Sequence, residues 1–125
     1  MHGLLCSLNQ PFINMSYQTF TDQWETFLLK AGQYFNVMAN YEFLLFIIGI
    51  QESGKGFGNF SKQEKTDLIS LGICRILEIK GYMRQSGNDP EGWPLFDTIK
   101  NHQVMPPLQH NRMMREGIMQ YFETN

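Results

Sequence analysis

Cysteine is scarce in this chain: two in 125 residues, Cys6 and Cys74. Two cysteines cannot build the disulfide framework on which small secreted domains depend. Cys6 falls in a terminal stretch and Cys74 inside a helical pattern, so both read as free thiols. That usage suits a reducing, cytoplasmic setting in which Cys74 behaves as a small buried hydrophobe. Charge of one sign is missing too. Ten Lys and Arg against twelve Asp and Glu leave a net charge of −2, which removes the electrostatic drive toward nucleic acid or an anionic membrane. Neither is an expected partner. No apolar run approaches the ~20 residues that a membrane-spanning helix needs.

Signatures of chemistry are absent as well. The chain has no Gly-x-Ser-x-Gly and no zinc-ligand spacing, and His2, His102 and His110 stand outside any Glu-x-x-His or His-Glu-x-x-His pattern. His102 and His110 flank Pro106-Pro107 and cannot share one helical face. No catalytic residue, metal or cofactor is expected. At the N-terminus, Gly3-Leu4-Leu5-Cys6 lacks the small residue a lipoprotein site places before its cysteine, and no Lys or Arg precedes it. Neither an anchor nor an export signal is expected. Residues 1–15, with Pro11 and no periodicity, read as a loosely ordered tail, with Met15 an alternative start; 16–125 read as a single helical domain.

What the chain does have is a continuous apolar run, Phe43-Leu44-Leu45-Phe46-Ile47-Ile48-Gly49-Ile50. A surface helix keeps one wet face, and this run keeps none, so it must be covered all round by its own chain or by a partner. Helical periodicity surrounds it. Phe20, Trp24, Phe27, Leu28, Ala31, Phe35 and Met38 step by three and four, which predicts a helix opening near Thr19 or Thr21. Tyr41 to Gln51 forms a second helix, and Gly54-Lys55-Gly56-Phe57-Gly58 breaks it. Ser61-Lys62-Gln63-Glu64 is a capping box for a third helix, from Lys62 to Lys80, stopped by Gly81. That helix carries two apolar stripes, Leu68/Ile69/Gly72/Ile73/Ile76/Ile79 and Leu71/Cys74/Leu77. Gly49 and Gly72 predict close packing of the second helix on the third.

Asp89-Pro90-Glu91-Gly92 reads as a type I turn. Leu95 to Ile99 reads as one or two helical turns after Pro94, and Pro107 as the first residue of a last helix ending near Phe122. The expected fold class is therefore all-α. It is a small bundle of three to four main helices with an irregular Trp- and Pro-containing connector, about 82–105, plugged into the core by Trp93.

Several groups invite a functional reading and each has a plainer one. The glycine loop lacks the preceding strand that phosphate loops use. Glu64 and Asp67 sit where a helix dipole favours acids. Arg75, between two apolar stripes, calls for a carboxylate partner, with Glu42, Glu52, Asp67 and Glu78 available. Arg112 and Arg115, with Lys100 and His110, form one basic cluster on a helix that no DNA-reading turn precedes. Trp93, Trp24, Tyr82 and Phe57 are candidates for an aromatic wall. The functional expectation is a non-catalytic intracellular interaction module, a homodimer closed through Leu71, Cys74 and Leu77, with an unknown protein partner also possible. The alternative is a small-molecule binder or enzyme whose pocket uses Trp93, Tyr82 and Arg75.

Overall fold

The computed structural model describes residues 17–124; the tail expected over 1–15 lies outside them. Four helices dominate: α1 (Tyr17–Phe35), α2 (Tyr41–Ser53), α3 (Lys62–Ile79) and α4 (Pro107–Thr124). Between α3 and α4 lie two strands, β1 (Met83–Asn88) and β2 (Pro94–Thr98), and a short 3-10 turn, His102–Val104.

Helix α1 buries the stripe its spacing predicts, Phe20, Trp24, Phe27 and Ala31. It stops earlier than the periodicity suggests. Asn36 takes a left-handed φ of 58°, which asparagine tolerates better than most residues, and the Val37 amide turns back onto the Gly32 carbonyl at 3.0 Å. Met38, read as the end of the stripe, is 96% exposed. Helix α2 starts where Asn40 Oδ1 accepts from the Phe43 amide at 2.7 Å and ends at Gly54 with φ 76°. Leu44, Leu45, Ile47, Ile48, Gly49 and Ile50 are all buried within this one chain, and half-buried Phe46 meets Phe60 edge-on at 5.8 Å.

The capping box of α3 forms as its residues predict. Ser61 Oγ accepts from the Glu64 amide at 3.1 Å, and Glu64 Oε1 accepts from the Ser61 amide at 2.8 Å. At the far end Gly81 has φ 87° and the Tyr82 amide returns to the Leu77 carbonyl at 2.8 Å, a Schellman closure. The glycines seat α2 on α3. A Cβ at Gly49 would stand under 3 Å from the Leu68 carbonyl, and one at Gly72 equally close to that of Leu45. Backbone meets backbone there, as the sequence predicts. Helix α4 starts at Pro107 and buries Met113, Met114, Ile118, Met119 and Tyr121. It runs in the same direction as α1, since Arg112, Arg115 and Phe122 meet Phe20, Trp24 and Phe27 in turn.

The fold is mostly helical but not all-α: the connector holds an antiparallel hairpin. Met83 pairs with Thr98, Arg84 with Asp97 and Gln85 with Phe96, and a bulge follows before Gly87 meets Leu95. The stretch Leu95–Ile99, read as helical turns, is largely strand. Asp89 decides this locally. Its Oδ1 accepts from the amides of Glu91 at 2.9 Å and Trp93 at 2.8 Å, and its own amide donates to the Trp93 carbonyl at 2.8 Å. A turn braced that way sends the chain straight back along itself. Among the described residues no polar or charged side chain is fully buried, and no helix is long and apolar enough to cross a membrane.

Candidate functional site

Arg75 fixes the hairpin to the bundle. Its Nε donates to Glu52 Oε1 on α2 at 2.7 Å, one terminal nitrogen pairs with Glu78 Oε1, and the other donates to Gln85 Oε1 on β1 at 2.9 Å. The Phe96 ring of β2 lies 5.0 Å from the guanidinium carbon. Glu78 Oε2 accepts from the Gln85 amide at 3.0 Å, and the Tyr121 hydroxyl of α4 donates to Glu52 Oε2 at 2.8 Å. Two of the carboxylates available in the sequence, Glu52 and Glu78, are the partners. Every guanidinium nitrogen is engaged within the chain, so Arg75 acts as a structural clamp and leaves no fork for an anionic ligand. Burial, reinforced by the hydrogen bond to Glu52 and that group's charge, holds the Tyr121 hydroxyl protonated well above the ordinary tyrosine range.

Trp93 stands over a cleft of about 580 Å³ between α3 and the hairpin turn. Its walls combine Leu71, Cys74 and Phe96 with polar groups from Ser53, Asp67 and Asp89. Burial raises the Cys74 thiol above its usual range, against the opposing charge of Arg75; the group is a protonated thiol at neutral pH and not an activated nucleophile. Of the three residues read as ligand-binding, the structure places Trp93 on this cleft and Arg75 behind it, under Phe96. Tyr82 is elsewhere. It lines a separate notch of about 330 Å³ with Lys80, Met105 and Arg112, with Lys100 Nζ 5.0 Å above its ring. The aromatic wall does not assemble either: Trp24 is in the core, 3% exposed.

Of the residues read as a dimer face, Leu71 and Cys74 stay together on the Trp93 cleft and Leu77 packs in the core. Leu71 and Leu77 are buried inside the chain, and Cys74 is half-buried on the Trp93 cleft. Apolar surface collects at another place, which periodicity did not single out. Phe27 and Ala31 of α1 and Leu44, Ile47 and Ile50 of α2 line a groove of about 600 Å³, together with Phe122 of α4. Tyr34 at 79% exposure and Phe57 at 70% stand on its rim. Lys55 and Glu123, of opposite charge, also line it, and Lys55 reaches the Trp93 cleft as well. The sequence signal was available: Tyr34 and Phe57 are large aromatics at positions that no stripe needs.

The basic cluster covers aromatic rings. Arg112 lies 4.7 Å from the Phe20 ring and Arg115 5.4 Å from that of Trp24, geometry that seals the α1–α4 seam. The histidines, which the two prolines keep off a single helical face, meet across the bend: His102 Nδ1 and His110 Nε2 are 2.9 Å apart. Their ring centroids are 5.1 Å apart, so the nitrogens point at each other and share a proton. No group of three or more His, Cys, Asp or Glu converges to hold a metal ion among the described residues. No protein-family model, curated protein or solved structure matches the chain.

Proposed function

We propose that this protein is a non-catalytic, cytoplasmic interaction module that captures an apolar, helical segment of a partner protein in the groove between α1 and α2. The observation that carries the reading is the contrast within that groove. Its floor is aliphatic and aromatic, while Tyr34 and Phe57 stay largely exposed on its rim. Large apolar side chains left in water beside a concave surface mark a place where burial is completed by another molecule. An amphipathic helix fits because its apolar face offers anchors at i, i+3/i+4 and i+7, and its flanking charges can meet Lys55 and Glu123. A second copy of the chain is the other occupant that would complete this burial, since Leu71 and Leu77 are themselves buried within the chain.

The test is a selection from a library of displayed helical peptides on the purified protein. Peptides with apolar residues at helical spacing should be enriched, and Tyr34→Ser with Phe57→Ser should weaken their binding by about tenfold or more, the scale of one lost aromatic anchor. Absence of enrichment, or binders indifferent to both substitutions, overturns the proposal. Light scattering on the unliganded protein reads out the homodimer separately.

A second reading rests on the Trp93 cleft, which brings Ser53, Asp67, Asp89 and Cys74 around one aromatic side chain in a volume that a small ligand can fill. It predicts a thermal shift with a small polar aromatic compound that Trp93→Ala abolishes.

A further inference from the structure

The loop between α2 and α3 is pinned at its ends and free in its middle. At the start, Ser53 Oγ donates to the Ile50 carbonyl at 3.0 Å and accepts from the Lys55 amide at 3.2 Å. At the end, Phe60 sits against Phe46 and Ser61 closes the capping box. Between these anchors, Gly56, Phe57, Gly58 and Asn59 are exposed, and no hydrogen bond among the described residues holds them. The Phe57 ring touches the groove wall at Phe35, centroids 6.5 Å apart.

The two glycines that flank Phe57 are not needed for the conformation seen. Neither has a left-handed φ, and a Cβ added at either one would stand in open space. This separates them from Gly49 and Gly72, where a neighbouring backbone forbids a side chain, and from Gly54, where the φ demands glycine. Glycine lowers stability through the freedom of the unfolded chain, so a pair without a local reason is a standing disadvantage in this conformation. The disadvantage is offset where the segment must adopt a second arrangement that a side chain would obstruct.

Resting on the groove as the binding site, we propose that Gly56–Asn59 is a lid, and that its swing about Gly56 and Gly58 folds Phe57 down over a segment seated in the groove. In the present arrangement the lid is open, with Phe57 parked against Phe35. On closure the phenyl exchanges water for the occupant's apolar face, and Lys55, at the hinge, moves over the rim. The lid stays anchored through Ser53 and Phe60, so closure leaves α2 and α3 in place.

The experiment compares the wild type with Gly56→Ala/Gly58→Ala, using nitrogen relaxation dispersion on the free protein and anilinonaphthalene sulfonate as the groove probe. Expected are exchange at the amides of Gly56–Asn59 in the wild type and its loss in the variant. A thermal midpoint unchanged or raised should accompany a drop of about fivefold in dye affinity. Flat dispersion in the wild type, a lowered midpoint in the variant, or dye affinity untouched by the two alanines overturns the lid and leaves the groove standing. A wild type that takes up no dye overturns the groove reading, and the lid's role with it, even where exchange is seen.

Discussion

The α2–α3 seam and the attachment of the hairpin are held by different physics. In the seam, two glycines let backbone lie on backbone, and the surrounding contacts are aliphatic and buried. Dispersion and hydrophobic burial act there, neither weakened by ionic screening and both intolerant of added volume. Along the strands of the hairpin only Pro94 is buried. The hairpin depends on the directional bonds of Arg75 and Glu78, whose side chains keep 16% and 29% of their surface in contact with solvent. Interactions of that kind fix geometry more than they stabilise. The hairpin should therefore open in local fluctuations that leave the helices closed.

One methyl group added to the seam should cause the largest loss. Gly49→Ala forces α2 and α3 apart because the obstacle is a backbone carbonyl, and it should destabilise by about 2–4 kcal/mol in urea unfolding. Gly117→Ala is the control. Its added methyl would meet the Cγ2 of Ile76 at 2.5 Å, a branched and buried side chain, so a loss is expected there too, smaller because one side chain yields more than two packed backbones. Equal effects would mean that the seam is not the rigid contact described above. Next in size is Arg75→Met, which keeps the aliphatic stem and leaves Glu52 and Glu78 without their cation. A loss of about 1–3 kcal/mol is expected after allowance for solvent screening. Hydrogen exchange should rise at Gln85 and its strand neighbours while the α2 amides stay protected. Uniform loss of protection would erase the distinction between the two regions.

The same contrast explains what could be read in advance. Helix positions, the capping box, the Gly81 stop and the Gly49–Gly72 contact were legible because each depends on residues near in sequence or on a 3.6-residue period. The hairpin was not, for two reasons. Its strands are short, and the outward residues Arg84, Ser86, Asp97 and Thr98 dilute the alternation that identifies a half-buried strand. Its pairing is decided by the Asp89 side chain, which reads as an ordinary turn residue until its hydrogen bonds are seen. Of the candidate sites, the partners of Arg75 were legible as a choice among four carboxylates; the groove was not. It forms where two successive helices, the loop after them and the end of α4 come together in space, and its rim residues carry no periodic signal. His102 and His110 were set apart by the two prolines, which forbid one helix between them but not a bend that brings them face to face.

Tyr121 gives a test on the bundle side of the clamp. Its hydroxyl is held protonated above the ordinary value of 10.0 by burial first and by Glu52 second. A raised folded value means the native state keeps a proton that the unfolded chain releases above pH 10. Stability is then fully present below pH 10 and falls as the solution becomes more alkaline. Tyr121→Phe should lose about 1–2 kcal/mol at neutral pH with the hydrogen bond to Glu52. It should also unfold with a shallower alkaline slope than the wild type; parallel slopes would show that Tyr121 titrates freely.

The smallest expected effect, and the one that tests a polar contact remote from both regions, is at His110. Burial and then the neighbouring His102 hold it below the ordinary 6.5, and the 2.9 Å contact needs one imidazole nitrogen to accept. A lowered folded value means the unfolded chain binds the extra proton first. The contribution is therefore complete above pH 6.5 and declines as acid carries the solution through that value toward the lower folded one. Solvent reaches the pair, so the amount is only about 0.3–0.5 kcal/mol. His110→Gln should flatten the acid limb of the stability profile below pH 6.5 without moving the alkaline limb that Tyr121 controls. An acid limb unchanged by the substitution would show that the two rings part in solution, leaving the 3-10 turn held to α4 by the Pro106-Pro107 bend alone.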